Sequence, residues 1–433
     1  MRLAPPHQPH RASGLQVSGA YPFMAEGGLG CDRVFAGTNH FGGGSFAIDG
    51  WDLYERGEIT SPNVTVSGTL GSGKSSVVKT VYVVRQLPFG RKACILDAKE
   101  NDGRGEYAPI CDWLGIPSIR LEPGSRAVRI NPLDIRFSRH QDRGRIERDQ
   151  LRILQAVIGA ALAPTRDGAG LMPAEETASR LALQVVNEQT DGQPILAKVA
   201  EAMLDLPEKL VRQHAKDPER LFEYSYQAAL ALGNLCGGPL QGMFDSATTE
   251  GIDLSMPVLD VDLTGMLELG EQSLGILMVC LQAWLRRAFA VDRANWVVVN
   301  EEAWYVLGNL ATARWMRWSY KMARALGIQN VLVVHSFADL QAAGPSGSEQ
   351  VQIALGLVRD CDTHIVYRQD TSELTTVRER LRLTDEECHH IDHLQKGQGI
   401  WRIKNTRRFL VEHQLSSAEA ELVNTNARMA QTA

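Results

Sequence analysis

The run Gly68-Thr69-Leu70-Gly71-Ser72-Gly73-Lys74-Ser75 has the residue types and spacing to hold a polyphosphate. It reads G-x-x-x-x-G-K-S. Successive backbone N–H groups in such a loop turn inward as a nest for phosphate oxygens. Its glycines allow φ values and close approaches that a Cβ forbids. Lys74 is suited to lie between the β- and γ-phosphates, and the Ser75 hydroxyl to ligate Mg²⁺. With Ser76 the candidate nucleotide-binding stretch runs over Gly68, Thr69, Gly71, Ser72, Gly73, Lys74, Ser75 and Ser76. The cofactors it implies are ATP and Mg²⁺.

A nucleotide hydrolase also needs a carboxylate near Mg²⁺ and a base for water. The apolar run Trp296-Val297-Val298-Val299-Asn300 is followed at once by Glu301-Glu302-Ala303-Trp304. Adjacent carboxylates at a strand end turn one towards the metal and the other towards the attacking water. Glu301 is assigned to the Mg²⁺ shell, through water, and Glu302 to the catalytic base. The same pair would suit the acidic first turn of an ordinary helix; the phosphate loop favours the functional reading. A further strand, Asn330–Val334, ends in His335. His335 is either a sensor of the γ-phosphate or a hydrogen-bonded histidine at a strand end.

These residues need elements to position them. The short β-branched Pro62–Ser67 precedes the loop and reads as a buried strand. After it, Val77, Val81 and Val84 recur at helical spacing. The loop therefore joins a strand to a helix N-terminus, where the helix dipole favours an anion. Cys94-Ile95-Leu96-Asp97 is another strand that ends in a carboxylate. Helix is expected over Glu106–Gly115, and short strands at Ser118–Leu121 and Val128–Ile130. Residues 1–20, rich in Pro, His, Gly and Ser, are expected to be disordered. The glycine-dense Phe41–Phe46 region reads as a hairpin or lid on the core edge.

Residues 135–240 change character: Leu151, Leu154, Ile158 and Leu162 share a helical face, and strand signals nearly vanish. This predicts an all-helical insertion between a first core part, 21–134, and a second, 241–415. Strand and helix alternate again from Val258, with helices expected over about Ser273–Val291 and Ala303–Leu326. Two capping boxes, Thr384…Glu387 and Ser416…Glu419, open later helices, the second leading into a tail over 416–433. Repeated strand–helix units give an α/β fold, a mostly parallel sheet with helices on both faces. Ligands in such sheets bind beyond the carboxyl ends of the strands. Gly68–Ser75, Asp97, Glu301-Glu302 and His335 all fall there.

The 433 residues suit two or three structural units. No apolar run reaches membrane-spanning length, and Met1–Gly14 lacks the hydrophobic stretch of a secretory signal. The seven cysteines are scattered without a C-x-x-C pair, which predicts free thiols in a reducing cytoplasm. A formal charge of −6 argues against a chain coated with nucleic acid, though not against a narrow basic channel.

The phosphate loop, Asp97…Gly105-Glu106-Tyr107, Asn131-Pro132-Leu133, Glu301-Glu302-Ala303-Trp304 and His335–Leu340 together resemble the motor domain of VirB4-type conjugation ATPases. That group sits with the HerA and FtsK DNA pumps; stand-alone ATP-binding proteins of actinobacterial mobile elements look closer still. The resemblance runs from about Gly42 to the C-terminus and includes Gly242–Asp245 and Gly397–Trp401. It implies a RecA-like P-loop NTPase core and a homo-hexameric ring on a membrane-associated conjugation or secretion apparatus. DNA in a central channel is a further implication. It also implies an arginine reaching the neighbour's γ-phosphate; Arg368 is the first candidate and Arg359 the second, each alternatively a surface or ion-paired arginine. This chain departs from the family in three places. Glu301 stands where the family has Asp, His335 where it has Gln, and Glu100–Arg104 stretch the segment between Asp97 and Glu106.

The expected function is a cytoplasmic ATPase motor, possible slow turnover included, that moves DNA or protein. Its competitors are a nucleotide-dependent scaffold with little hydrolysis and a stand-alone duplex-DNA translocase.

Overall fold

The structure, a computed structural model, describes residues 28–424 apart from 32, 125–127, 136–141, 163–170, 215–216, 239, 251, 254, 267–270, 292–293, 302–306, 308–309 and 405. Glu302, Ala303 and Trp304 therefore lie outside the described residues, as do residues 1–20 with their expected disorder.

In chain order the first strands are β1 Phe35–Asn39, β2 Ser45–Ala47, β3 Val64–Ser67, β4 Lys92–Asp97, β5 Glu100–Asn101, β6 Arg104–Gly105 and β7 Ile119–Arg120. After a long helical stretch come β8 Val258–Asp262, β9 Trp296–Asn300, β10 Ile328–Val334, β11 Thr363–Val366, β12 Gln398–Ile403 and β13 Arg407–His413. One 11-stranded sheet has the order β2-β1-β13-β12-β11-β3-β10-β9-β4-β8-β7. From β11 to β7 every neighbouring pair is parallel. The β2, β1, β13 and β12 end is antiparallel. The glycine-dense Phe41–Phe46 region is the turn and second strand of the β1–β2 hairpin at that edge.

Parallel strands covered on both faces need near-continuous apolar runs. β3, β9 and β10 are buried at every position. Alternate residues divide between the faces. Ala93, Ile95, Val297 and Val299 join one core, with Val64, Val66 and Val81; Cys94, Leu96, Trp296 and Val298 join the other.

The helices before the long helical stretch are α1 Gly50–Glu55, α2 Lys74–Val77 and α3 Ala108–Leu114. Among the described residues five more follow without a strand: α4 Arg143–Leu162, α5 Pro173–Gln189, α6 Leu196–Leu204, α7 Glu208–His214 and α8 Pro218–Gly237. Their apolar stripes, including Leu154, Ile158, Leu181, Val199 and Leu232, merge with the second core. Asn131 ties this stretch to the segment that precedes it: its side chain donates to the Pro194 carbonyl and accepts from the Leu133 N–H. The remaining helices are α9 Glu271–Val291, α10 Leu310–Leu326, α11 Phe337–Gln341, α12 Glu349–Arg359, α13 Thr371–Leu381, α14 Asp385–His393 and α15 Ser417–Leu422. Among the described residues no helix is long and apolar enough to cross a membrane.

Two local expectations change. Val128–Ile130 forms no strand; the Ile130 N–H donates to Met243 and the Arg129 N–H to the Thr249 hydroxyl, so its donors are satisfied outside any ladder. The helix after the phosphate loop is not uniformly α. After Lys74–Val77 it widens to a π-helix over Val78–Val83, then tightens to a 3₁₀ helix over Val84–Phe89. Pro88 lacks an N–H and cannot extend an α ladder. The Gln86 side chain donates to the Val81 carbonyl at 2.7 Å, satisfying an acceptor within the irregular turn.

Candidate active site

β3 delivers the phosphate loop between the ends of β10 and β11. The Gly68 N–H donates to the Val334 carbonyl at 3.3 Å, and the Thr69 N–H to the Arg368 carbonyl at 2.9 Å. The Ser72 hydroxyl donates to the Thr69 carbonyl at 2.7 Å. From the other side, the Gly397 N–H donates to the Ser72 carbonyl at 2.9 Å. Glycine is required at two positions. A Cβ on Gly73, at φ 112, would lie 3.2 Å from Gly397 backbone atoms; one on Gly68 would lie 2.6 Å from the Tyr367 Cβ. Gly397–Trp401, noted in the sequence as a motif, is thus a brace for the loop.

Lys74 is buried, and its Nζ donates to the Gly68 and Thr69 carbonyls at 2.6 and 2.8 Å. Ser75 and Ser76 are half-buried at the start of α2. The Ser75 hydroxyl donates to Glu301 Oε2 at 3.2 Å. Glu301 sits just past β9, and β10 lies between β9 and β3. The sheet therefore brings together a hydroxyl and a carboxylate that are far apart in sequence.

The other oxygen of Glu301 is held as well. The Tyr107 hydroxyl donates to Glu301 Oε1 at 2.6 Å, with both groups buried. Beside them, Glu106 forms ion pairs with Lys79 at 2.9 Å and Lys99 at 2.8 Å. Burial works to raise the Glu106 carboxyl, but these two lysines outweigh it and hold it below its ordinary value. Glu301 moves the other way: burial, then the Glu106 charge, raises it despite Lys79 and the Tyr107 hydrogen bond. A cation placed beside Glu301 would favour its charged form.

Asp97 shapes this segment. Its carboxylate accepts from the Tyr107 N–H at 2.9 Å and the Lys99 N–H at 3.2 Å. Burial, then the nearby Asp260 charge, pushes it up to about 8. The Gly105 N–H is anchored to Asp262 at 3.1 Å. The stretched Glu100–Arg104 segment is the β5–β6 hairpin, turned by Asp102 and Gly103 at φ 57 and 80. Two successive positive-φ residues match the twist of a tight hairpin. The extra residues loop outward, and Glu106 and Tyr107 still reach the site.

His335 follows β10 and is half-buried at the edge occupied by the loop. Arg368 meets the loop of its own chain through its backbone, while the residue is exposed. Arg359 ends α12, before β11 begins, at the opposite sheet edge from the phosphate loop. Glu302 lies outside the described residues. Tyr107, Lys79, Glu106 and Gly397 were not singled out as site residues from the sequence. One signal was present: Lys79 interrupts the apolar run Val77-Val78-Lys79-Thr80-Val81, and an unpaired buried lysine is costly.

Strand, glycine loop, Lys-Ser and facing carboxylate define a P-loop nucleotide-binding fold of the α/β class. No family model matches the chain. The chain shares its fold with VirB4 of Thermoanaerobacter pseudethanolicus: TM-score 0.66, 19% identity, covering 91% of this chain and 100% of that one. The plasmid coupling protein TrwB in complex with ADP and Mg²⁺ gives a TM-score of 0.50 at 14% identity, covering 82% of this chain and 86% of that one. In sequence, the type IV secretion system protein CagE of Helicobacter pylori is 27% identical over 150 residues. That match spans 35% of this chain and 14% of CagE.

Proposed function

We propose that this chain is an ATP-binding and hydrolysing motor of the VirB4 type, which couples hydrolysis to movement of DNA or protein in conjugation or type IV secretion. The observation that carries this reading is the 3.2 Å contact between Ser75 and Glu301. It joins the phosphate loop to the tip of β9 where a metal–nucleotide complex needs both. The Ser75 hydroxyl and Glu301 carboxylate fit Mg²⁺, which keeps few protein ligands and completes its shell with water and phosphate. When bound, Mg²⁺ neutralises charge developing on the phosphates.

In this reading Lys74 leaves the loop carbonyls for the phosphates. Ser75 and Glu301, the latter through water, hold the metal. Glu302 takes the proton of the attacking water, and His335 senses the γ-phosphate. The chain assembles as a homo-hexamer in the cytoplasm, peripheral to the inner face of the membrane. Arg368, or alternatively Arg359, supplies the charge that reaches the neighbour's γ-phosphate. The fold shared with VirB4 and the CagE match support this placement; DNA in a central channel is part of the proposal.

The test pairs two variants of the full chain. Lys74→Ala is expected to lose ATP affinity in calorimetry. Glu302→Gln is expected to keep ATP affinity and lose roughly 10²–10⁴-fold in phosphate release. Parental hydrolysis by Glu302→Gln would overturn the assignment of the base. ATP-driven assembly of the parental chain without phosphate release would replace the motor with a scaffold.

A further inference from the structure

Helix α14 carries residues with chemistry that the nucleotide site does not use: Cys388-His389-His390-Ile391-Asp392-His393. His389 and His393 stand four positions apart, so one helical face presents both imidazoles, the spacing by which a helix holds zinc. Their ring centres lie 4.8 Å apart, with the planes at 48°. Two imidazoles that share one ion, each nitrogen about 2.0–2.1 Å from it, have ring centres about 5 Å apart. Both residues are exposed, so an ion reaches them from solvent.

A separate contact fixes the hydrogen on one ring. His393 Nδ1 lies 2.9 Å from the His389 carbonyl. A carbonyl only accepts, so Nδ1 carries the hydrogen and Nε2 of the neutral ring keeps its lone pair. A backbone carbonyl on the second ring nitrogen is the usual support of a metal-bound histidine. Among the described residues the His389 ring nitrogens make no hydrogen bond; its ring faces those of His390 and His393. His390 is taken edge-on by Phe41, at 5.9 Å between ring centres. Among the described residues no third His, Cys, Asp or Glu joins the pair to hold a metal, so water completes the shell of an open site. Nitrogen ligands favour zinc, nickel or copper, whereas Mg²⁺ takes the oxygens of Ser75 and Glu301.

The position of the pair gives the ion a role. His393 is the last residue of α14. Four residues on, the Gly397 N–H holds the Ser72 carbonyl of the phosphate loop. The helix exit between them is loosely tied, with the Leu394 N–H 3.5 Å from the Ile391 carbonyl. Helix ends fray first, and an ion bound across one turn opposes that fraying.

We propose that His389 and His393 form a two-imidazole site for a divalent transition-metal ion, which clips the last turn of α14 and with it the approach to the Gly397 brace. Any consequence for nucleotide binding rests on the reading above; the metal site does not.

The test uses the full chain without a histidine tag, with millimolar Mg²⁺ present to fill oxygen sites, titrated with NiCl₂ by calorimetry. The parental chain is expected to bind Ni²⁺. His389→Ala and His393→Ala are each expected to weaken that binding roughly 10²-fold, because a second ligand on one scaffold contributes about that much. His390→Ala should bind as the parent does. Zn²⁺ should slow amide hydrogen exchange over residues 389–398 in the parent and leave it unchanged in the His389→Ala/His393→Ala chain. Equal Ni²⁺ affinity in the parent and the double variant would overturn the proposal, as would loss of binding in His390→Ala. Bound metal with unchanged hydrogen exchange in the parent would overturn the clip. Lys74→Ala, which tests the nucleotide site, should leave Ni²⁺ binding intact, so failure of either reading is seen separately.

Discussion

Tyr107 fixes the direction of the carboxylate at the tip of β9. Glu has one methylene more than the Asp of the resembling family, and a free Glu301 carboxylate would have more ways to point. The buried phenol fixes Oε1 at 2.6 Å, and Oε2 then meets Ser75. A hydrogen bond to a charged group contributes about 1.5–3 kcal/mol. Tyr107→Phe removes a donor that stabilises the charged form, so the Glu301 pKa rises further and proton competes better with metal. The Mg²⁺ concentration for half-maximal ATP hydrolysis is expected to rise about tenfold or more. ATP affinity measured with EDTA should stay the same. An unchanged Mg²⁺ titration would show that Tyr107 only fills space.

At the scale of elements, the phosphate loop owes its shape to its neighbours. The loop is clasped between Arg368 after β11 and Gly397 before β12, with β10 alongside. β12 belongs to the antiparallel edge, so that edge does more than extend the sheet. Gly73→Ala imposes both a left-handed backbone on a residue with a Cβ and a 3.2 Å approach to Gly397. Such strain is about 1–3 kcal/mol, equivalent to roughly 5–150-fold in affinity. Calorimetry should show that loss for ATP while far-UV circular dichroism stays parental. Retained affinity would mean that the Gly397 brace yields without cost.

At the scale of the whole molecule, buried carboxyls on β4 and β8 make stability depend on pH. Asp97 keeps its proton to about pH 8 when folded, whereas an unfolded aspartic acid ionises near pH 4. Between those values the folded chain holds the extra proton, so stability falls as pH rises. Asp260, raised by burial to about 6, adds to the lower part of that window. Tm is expected to decline from about pH 5 to 8. Asp97→Asn should flatten that decline, whatever its effect at any single pH. A variant with the parental slope would show that Asp97 titrates normally.

Chemistry carried by contiguous residues was legible from the chain. The phosphate loop is one run of residues, and its glycine positions follow from local backbone sterics. The capping boxes at Thr384–Glu387 and Ser416–Glu419 are local for the same reason, and both form. The apolar runs of β3, β9 and β10 announced buried strands, because a strand covered on both faces has no polar side to show. Tertiary structure alone decided which distant groups meet. Tyr107 reaches Glu301 across 194 positions only because β4 and β9 are neighbours. Gly397 reaches the loop only because β12 pairs beside β11. Val128–Ile130 looked like a strand, but partners from elsewhere took its hydrogen bonds. Side-chain type and spacing set what each residue is able to do; sheet order, a property of long-range pairing, set where it does it.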